Sequence, residues 1–226
     1  MLQKNADGDV VYKDPRLEAF FDVNSSGEYV GGVSGTNFST SNNYKAAYWC
    51  RPAMKYNSPV YLIQVAETEF FIAEYYARQN NAAQAQAHYN AAIEASCASA
   101  GVGGAETVIA QFPYSQANYK QSIGVSKWIA LAGTNNFESW CELRRLKYPA
   151  FGTATGSTLY NASEDKLVTE AYTPGTLYTP ISVFANVGSN SVIQRWPYPS
   201  ASTSSNANAP EFDEKSDYKI PPFWGN

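Results

Sequence analysis

Charge is scarce in these 226 residues. Sixteen Lys and Arg face twenty Asp and Glu, a net charge of −4, and only 16% of residues are charged. Nucleic-acid binding needs a cationic footprint for the phosphates, so that class is excluded. Globular domains commonly carry about 25% charged residues. The low figure here points towards an extracellular or sugar-facing surface. Histidine is scarcer still, with His88 alone. A Ser/His/Asp or Cys/His catalytic set needs an imidazole beside a nucleophile and an orienting acid. His88 falls inside a helical pattern and reads as a lateral or exposed surface residue. Cys50, Cys97 and Cys141 are widely spaced and match neither a zinc pattern nor a CxxC pair. They read as buried free thiols that pack as small apolar groups. One disulfide with one thiol left over is the alternative, so the cysteines do not settle the compartment. No apolar run reaches the roughly 18 residues of a spanning helix. The polar residues 1–7 lack the apolar core of a signal peptide. The chain is therefore expected either to be cytoplasmic or to begin after a removed segment. Phosphate loops of the GxxxxGK[ST] kind and strand-linked GxGxxG are missing too, and no cofactor is expected.

Apolar and aromatic residues are plentiful. Hydrophobic residues make up 44% of the chain and aromatics 15%, including seventeen Tyr. That content can bury a core and excludes disorder across the whole chain. Residues 1–58 read as irregular, with room for a hairpin or two. Asp14-Pro15-Arg16-Leu17 opens a short extended or single-turn element. Residues 59–79 carry the strongest helical signal, with Pro59 at a first helical position. Ile63, Ala66, Phe70, Ala73 and Ala77 follow steps of three and four and share a face. Residues 82–99 predict a second helix, lined by Ala82, Ala85, Tyr89, Ala92 and Ile93 and stopped by Gly101, Gly103 and Gly104. Two amphipathic helices joined by a short polar turn form a tetratricopeptide-like hairpin. Such units bury their faces by stacking on neighbours. Residues 117–132 and 137–146 predict a third and a fourth helix, the last ending in Arg144-Arg145-Leu146-Lys147, cations that suit a helix terminus. The tail, 150–226, is rich in Pro, Gly, Ser, Thr and Asn. The expected fold is mainly α with little β: a loop-rich lead-in over 1–58, a helical core over 59–149 and a loop-rich tail, in a single region.

Few groups offer chemistry. Glu67 and Glu69 are carboxylates of the kind glycoside hydrolysis pairs, but in an amphipathic helix they read as solvated or capping charges. Asp213, Glu214 and Asp217 offer oxygen ligands without the spacing of a calcium loop, and read as a solvated acidic loop. The remaining candidates are aromatic. Tyr44, Tyr48, Trp49 and Tyr56 cluster in a polar, loop-like stretch, with Tyr29 before it. Rings on loops offer flat apolar faces with polar tips and lose little entropy on binding. They either pack the loops onto the helices or stack on sugar rings. Tyr29, Tyr44, Tyr48 and Trp49 are the candidate ligand-binding residues.

Several segments together resemble one family. They are Asp14-Pro15-Arg16-Leu17; the helix from Ile63 to Glu74; Lys127-Trp128-Ile129-Ala130-Leu131; the run from Glu138 to Pro149; Arg195-Trp196-Pro197-Tyr198-Pro199; and Ile220-Pro221-Pro222-Phe223-Trp224. Their order resembles the carboxy-terminal half of SusD/RagB-type lipoproteins of the Bacteroidetes, the SusD-like branch above all. Two departures stand out. Ser200 to Ser205 intervene before Asn206 and Asn208 where the family has Glu and then Asn, and the end reads Phe223-Trp224 in place of two tryptophans. The resemblance implies a non-enzymatic outer-membrane binding protein at the cell surface, with a SusD-like α/α superhelix. It would pass glycans, or peptides in the RagB type, to a SusC-like TonB-dependent transporter. It implies membrane attachment only through a lipid anchor outside these residues, and an amino-terminal half that makes this chain a fragment or a short member. Arg144, Arg145 and Arg195 are expected to serve the fold. A helical-repeat module for protein partners is the alternative function.

Overall fold

The spacing that puts Ala66, Phe70, Ala73 and Ala77 on one face makes helix α2, Val65–Arg78, and all four are buried. The computed structural model describes residues 1–5, 7–34, 49–161, 166–167, 175–181, 183, 192–209, 211 and 218–222. Helix α3, Ala82–Ser99, lies against α2, and Ala85, Tyr89, Ala92 and Ile93 are buried between them and their neighbours. Small alanines let the two backbones approach, and Phe70 meets Tyr89 edge-on with ring centres 6.0 Å apart. Asn80 takes the left-handed conformation in the turn between the two helices, and the Asn81 side chain accepts the Gln84 N–H to cap α3. Ala82 itself is exposed, in the first turn beyond the core.

Helix α2 begins at Val65, six residues later than Pro59 predicts. Residues 60, 62 and 63 are exposed, so helical turns there would bury nothing. Gln64 stays extended at φ −120° and ψ 152°, and its amide donates to Thr134 Oγ1 at 2.7 Å. A helical hydrogen bond without packing is too weak to extend the element.

Ahead of the hairpin, β1 (Leu2–Lys4) and β2 (Val10–Lys13) pair antiparallel, a single turn α1 (Leu17–Phe20) follows, and β3 (Phe21–Asp22) pairs with β4 (Arg51–Pro52). Asp14 and Arg16 are fully buried and fix this lead-in to the helices. Arg16 donates to both Asp14 oxygens at 2.9 and 2.7 Å and to Ser96 Oγ of α3 at 3.0 Å. Burial alone would raise the Asp14 pKa, but the Arg16 hydrogen bonds and charge outweigh it and hold it low.

After α3 comes a helix that the glycines concealed, α4, Ala105–Gln111. Gly104, at φ +82°, is the residue before it and does not mark the end of helical structure. Helix α5, Tyr119–Ala130, packs on α2 and on α6, Asn136–Leu146. Asn135 caps α6 through the Glu138 N–H, and Lys147 ends it at φ +66°. Gly124 of α5 lies against Tyr148: a Cβ there would come 2.7 Å from Tyr148 Cβ. These elements form one unit, residues 1–31 and 47–149, with its core at Phe70, Tyr89, Ile93, Val108, Ile123 and Leu146.

A second unit holds residues 32–46 and 150–226. In it β5 (Phe151–Thr155) runs parallel to β8 (Leu177–Thr179), β6 (Tyr160–Asn161) pairs with β7 (Lys166–Leu167), and two short helices are α7 (Gly156–Leu159) and α8 (Ser200–Ser205). The Tyr178 hydroxyl accepts the Ser34 N–H at 2.7 Å and donates to the Gly32 carbonyl at 3.3 Å. The described fold is mainly helical with little strand, as expected.

Candidate functional site

The two described members of the predicted aromatic set lie on adjoining backbone segments. The Cys50 N–H donates to the Val30 carbonyl at 2.8 Å, which brings the chain at Tyr29 alongside the chain at Trp49. The contact continues through β3 and β4, and the Ala53 N–H donates to the Phe20 carbonyl at 2.9 Å. Between β3 and Tyr29 the chain turns around Asn24, whose Oδ1 accepts the Ser26 and Glu28 N–H groups at 2.9 and 2.8 Å. An Asn side chain that mimics a backbone turn in this way fixes a short loop.

Tyr29 and Trp49 are each half-buried. The Lys13 ammonium stands 5.6 Å from the centre of the Tyr29 ring and pairs with Glu18. Partial burial raises the Tyr29 pKa, and the nearby Glu18 charge adds to it. The hydroxyl therefore stays protonated and can donate a hydrogen bond. Tyr44 and Tyr48 lie outside the described residues, as do Asp213, Glu214 and Asp217. Tyr56, at the tip of the next turn, is fully exposed.

The charged residues of the helices occupy a different place. Glu67, read from the sequence as a solvated or capping charge, is buried, and so is Glu74 of the same helix. Lys127 of α5 is buried too. Its Nζ lies 3.3 Å from Glu142 and 3.6 Å from Glu67, under the Phe71 ring at 3.4 Å from the ring centre. Arg145 donates to both Glu74 oxygens at 2.6 Å and to Glu142 at 2.6 and 3.0 Å, and Arg78 also meets Glu74 at 2.6 Å. Three carboxylates thus balance three cations where α2, α5 and α6 meet. Burial raises the Glu67 pKa and lowers that of Lys127. Burial would raise Glu74 as well, but hydrogen bonds from Arg145 and Arg78 hold it low. Each charge is answered by another protein group, so the arrangement ties helices together. The reading of Glu67 as a solvated or capping charge is corrected: its helical position faces α5, where only a buried lysine can receive it. Glu69 is half-exposed and meets His88 Nδ1 at 2.7 Å, and the His88 ring stacks on Tyr76 at 5.4 Å. Arg144 covers the Trp140 ring at 4.5 Å, and Arg195 lies 5.6 Å from the Tyr198 ring.

Cys97 is buried, Cys50 and Cys141 are partly exposed, and all three are free thiols. Among the described residues no group of three His, Cys, Asp or Glu side chains is placed to hold a metal, and no helix is long and apolar enough to cross a membrane.

Residues 7–170 match the SusD-like family described as starch-binding and associating with the outer membrane. The fold is similar to two solved structures. One is a SusD homologue from Bacteroides thetaiotaomicron, with a TM-score of 0.61 and 22% identity over 86% of this chain and 42% of that one. The other is a SusD homologue from Bacteroides uniformis, with a TM-score of 0.61 and 20% identity over 94% of this chain and 47% of that one. The chain spans less than half the length of these solved relatives. No curated protein matches it.

Proposed function

The chain belongs to the SusD-like family of starch-binding, outer-membrane-associated proteins, and from that premise we propose that it contributes to a cell-surface binding protein for glycans or other nutrients. Binding uses aromatic stacking and hydrogen bonding without catalysis, at the extracellular face of the outer membrane. A SusC-like TonB-dependent transporter receives the ligand, and a lipid anchor outside these residues holds the full protein to the membrane. The ligand residues of this reading are Tyr29, Tyr44, Tyr48 and Trp49. One observation supports it above others: Tyr29 and Trp49 sit on segments joined by the Cys50–Val30 hydrogen bond. Rings held half-exposed on fixed loops keep a stacking face available without ordering cost.

Titration calorimetry against soluble glycans tests the reading. Trp49→Ala and Tyr48→Ala should each weaken binding by about tenfold, the order expected for one aromatic contact. Unchanged affinity in both variants rules these residues out as the site. A second reading, a repeat module that docks a protein through α2 and α3, is favoured by the exposed Phe71 and Tyr75 on α2. Pull-downs separate the two, since a soluble protein captured in place of an outer-membrane barrel supports the second.

A further inference from the structure

Helix α2 has two apolar sides, and the chain covers one of them. Ala66, Phe70, Ala73 and Ala77 turn inwards together with Glu67 and Glu74. Val65, Thr68, Phe71, Ile72 and Tyr75 fill an outward arc of about 120°, and none of the five is charged. Ile72 is half-buried and the other four are exposed. A helix at a protein surface ordinarily sets charged and polar residues on its outward side. Helix α3 does so, with Gln84, Gln86 and Glu94 exposed. On the α2 stripe the Thr68 hydroxyl turns back and donates to the Gln64 carbonyl at 3.3 Å. The charges at the two borders are answered within the chain: Arg78 meets Glu74 at 2.6 Å and Glu69 meets His88 at 2.7 Å. Just ahead of α2, Val60, Leu62 and Ile63 are exposed as well, Leu62 to 90%. The Gln64 hydrogen bond to Thr134 anchors that segment beside the helix.

We propose that this face is an interface between two copies of the chain, which pair through α2 about a two-fold axis. Two observations carry the choice of a second copy. The first is area. An aliphatic side chain offers about 60–120 Å² and an aromatic one about 150–250 Å². Scaled by their exposures, Val60, Leu62, Ile63, Val65, Phe71 and Tyr75 present on the order of 500 Å² of apolar surface. Apolar atoms supply roughly 57% of an interface, so this stripe corresponds to about 900 Å² per copy, against about 800 Å² in an interface of standard size. The second is charge. Like charges that face each other oppose self-association, and an uncharged stripe has none to bring together. Its border charges already hold partners, so docking strands none of them. A two-fold interface uses the same patch on both copies. Antiparallel helices let the two macrodipoles oppose each other. That pairing sets Val65 of each copy against Tyr75 of the other, with Thr68 and Ile72 close to the axis. The inference concerns a face apart from Tyr29 and Trp49 and does not depend on the ligand-binding role.

Sedimentation equilibrium of the chain tests the proposal, with Val65→Glu, Tyr75→Lys and the double variant beside the parent. The parent should dimerise with a micromolar dissociation constant. Each single variant should dimerise at least about tenfold more weakly, because its charge enters the interface twice. The double variant sets opposite charges against each other at both ends of the antiparallel pair and should regain most of the lost affinity. Both positions are exposed, and each charge suits its end of the helix dipole, so melting temperatures of the monomers should agree. A parent that stays monomeric up to about 100 μM overturns the proposal. So does a dimer that neither single variant weakens. Single variants that are monomeric without recovery in the double variant overturn the antiparallel pairing. A monomeric parent that captures an outer-membrane barrel, and loses it in the single variants, gives the face to that partner and overturns the second copy. Glycan affinity in calorimetry should be the same in all four proteins, so the proposed function stands or falls separately.

Discussion

Lys127 is fully buried, yet it carries a charge beside two carboxylates and an aromatic face. Burying an ammonium is costly, and the attraction of Glu142 and Glu67 offsets that cost only while both stay ionised. Replacing Lys127 by methionine keeps the stem and removes the charge, which leaves Glu67 without its cation. Removing one partner of a buried pair costs about 3–5 kcal/mol. Lys127→Met should lose stability of that order in urea unfolding at pH 7. Lys127→Met with Glu67→Leu should recover most of it, because both charges then leave together. A single variant within about 1 kcal/mol of the parent would contradict a structural role for the cluster. Acid gives a second test. Asp14 and Glu74 have lowered pKa values in the fold, so their contribution is present above the ordinary carboxylate value of about 4 and is lost as pH falls through the lower folded values. Glu67 has a raised value, so its contribution is present at low pH and is lost as pH rises through the raised value. Asp14 and Glu74 together oppose Glu67, so melting temperature should fall on acidification, and Glu74→Gln should show a shallower fall than the parent.

At the scale of elements, caps and close approaches set the boundaries. The Asn81 side chain satisfies a free N–H in the first turn of α3. Asn81→Ala should cost about 1 kcal/mol, read from the urea midpoint at constant slope. Gly124 leaves no room for a side chain between α5 and Tyr148. Although alanine favours a helix, Gly124→Ala should destabilise by about 1–3 kcal/mol, the cost of overpacking. A stabilised Gly124→Ala would mean that Tyr148 yields freely. Periodicity located α2, α3, α5 and α6, because long amphipathic stripes repeat the same information several times. It misplaced the start of α2, since Ile63 fits the stripe but has no core beneath it. It missed α4, where seven residues hold one buried side chain, Val108, and the preceding glycines read as a stop.

For the whole molecule, family membership and the mainly helical fold agree with a chain that has one histidine and few charges. The binding role proposed above needs no catalytic set. Incubated with a glycan that it binds, the chain should release no reducing sugar over hours. Turnover that disappears on mutating a carboxylate pair would instead reveal an enzyme. The amino-acid order by itself determined the helical pattern, the aromatic character of the lead-in and the resemblance to one family. Those properties are local: apolar spacing, turn residues and short motifs survive without knowledge of partners. Tertiary structure decided which polar residues are inside. Glu67 reads as a solvated charge in the sequence, and only the packing of α5 and α6 on α2 supplies the Lys127 and Arg145 that make the burial of Glu67 and Glu74 tolerable. It also decided which aromatics are free to work. Tyr89 and Tyr56 are the same residue type, yet one is buried in the core with its pKa pushed up to about 12 and the other stands in water on a closed turn. Exposure depends on contacts between segments far apart in the chain, and no local pattern records them.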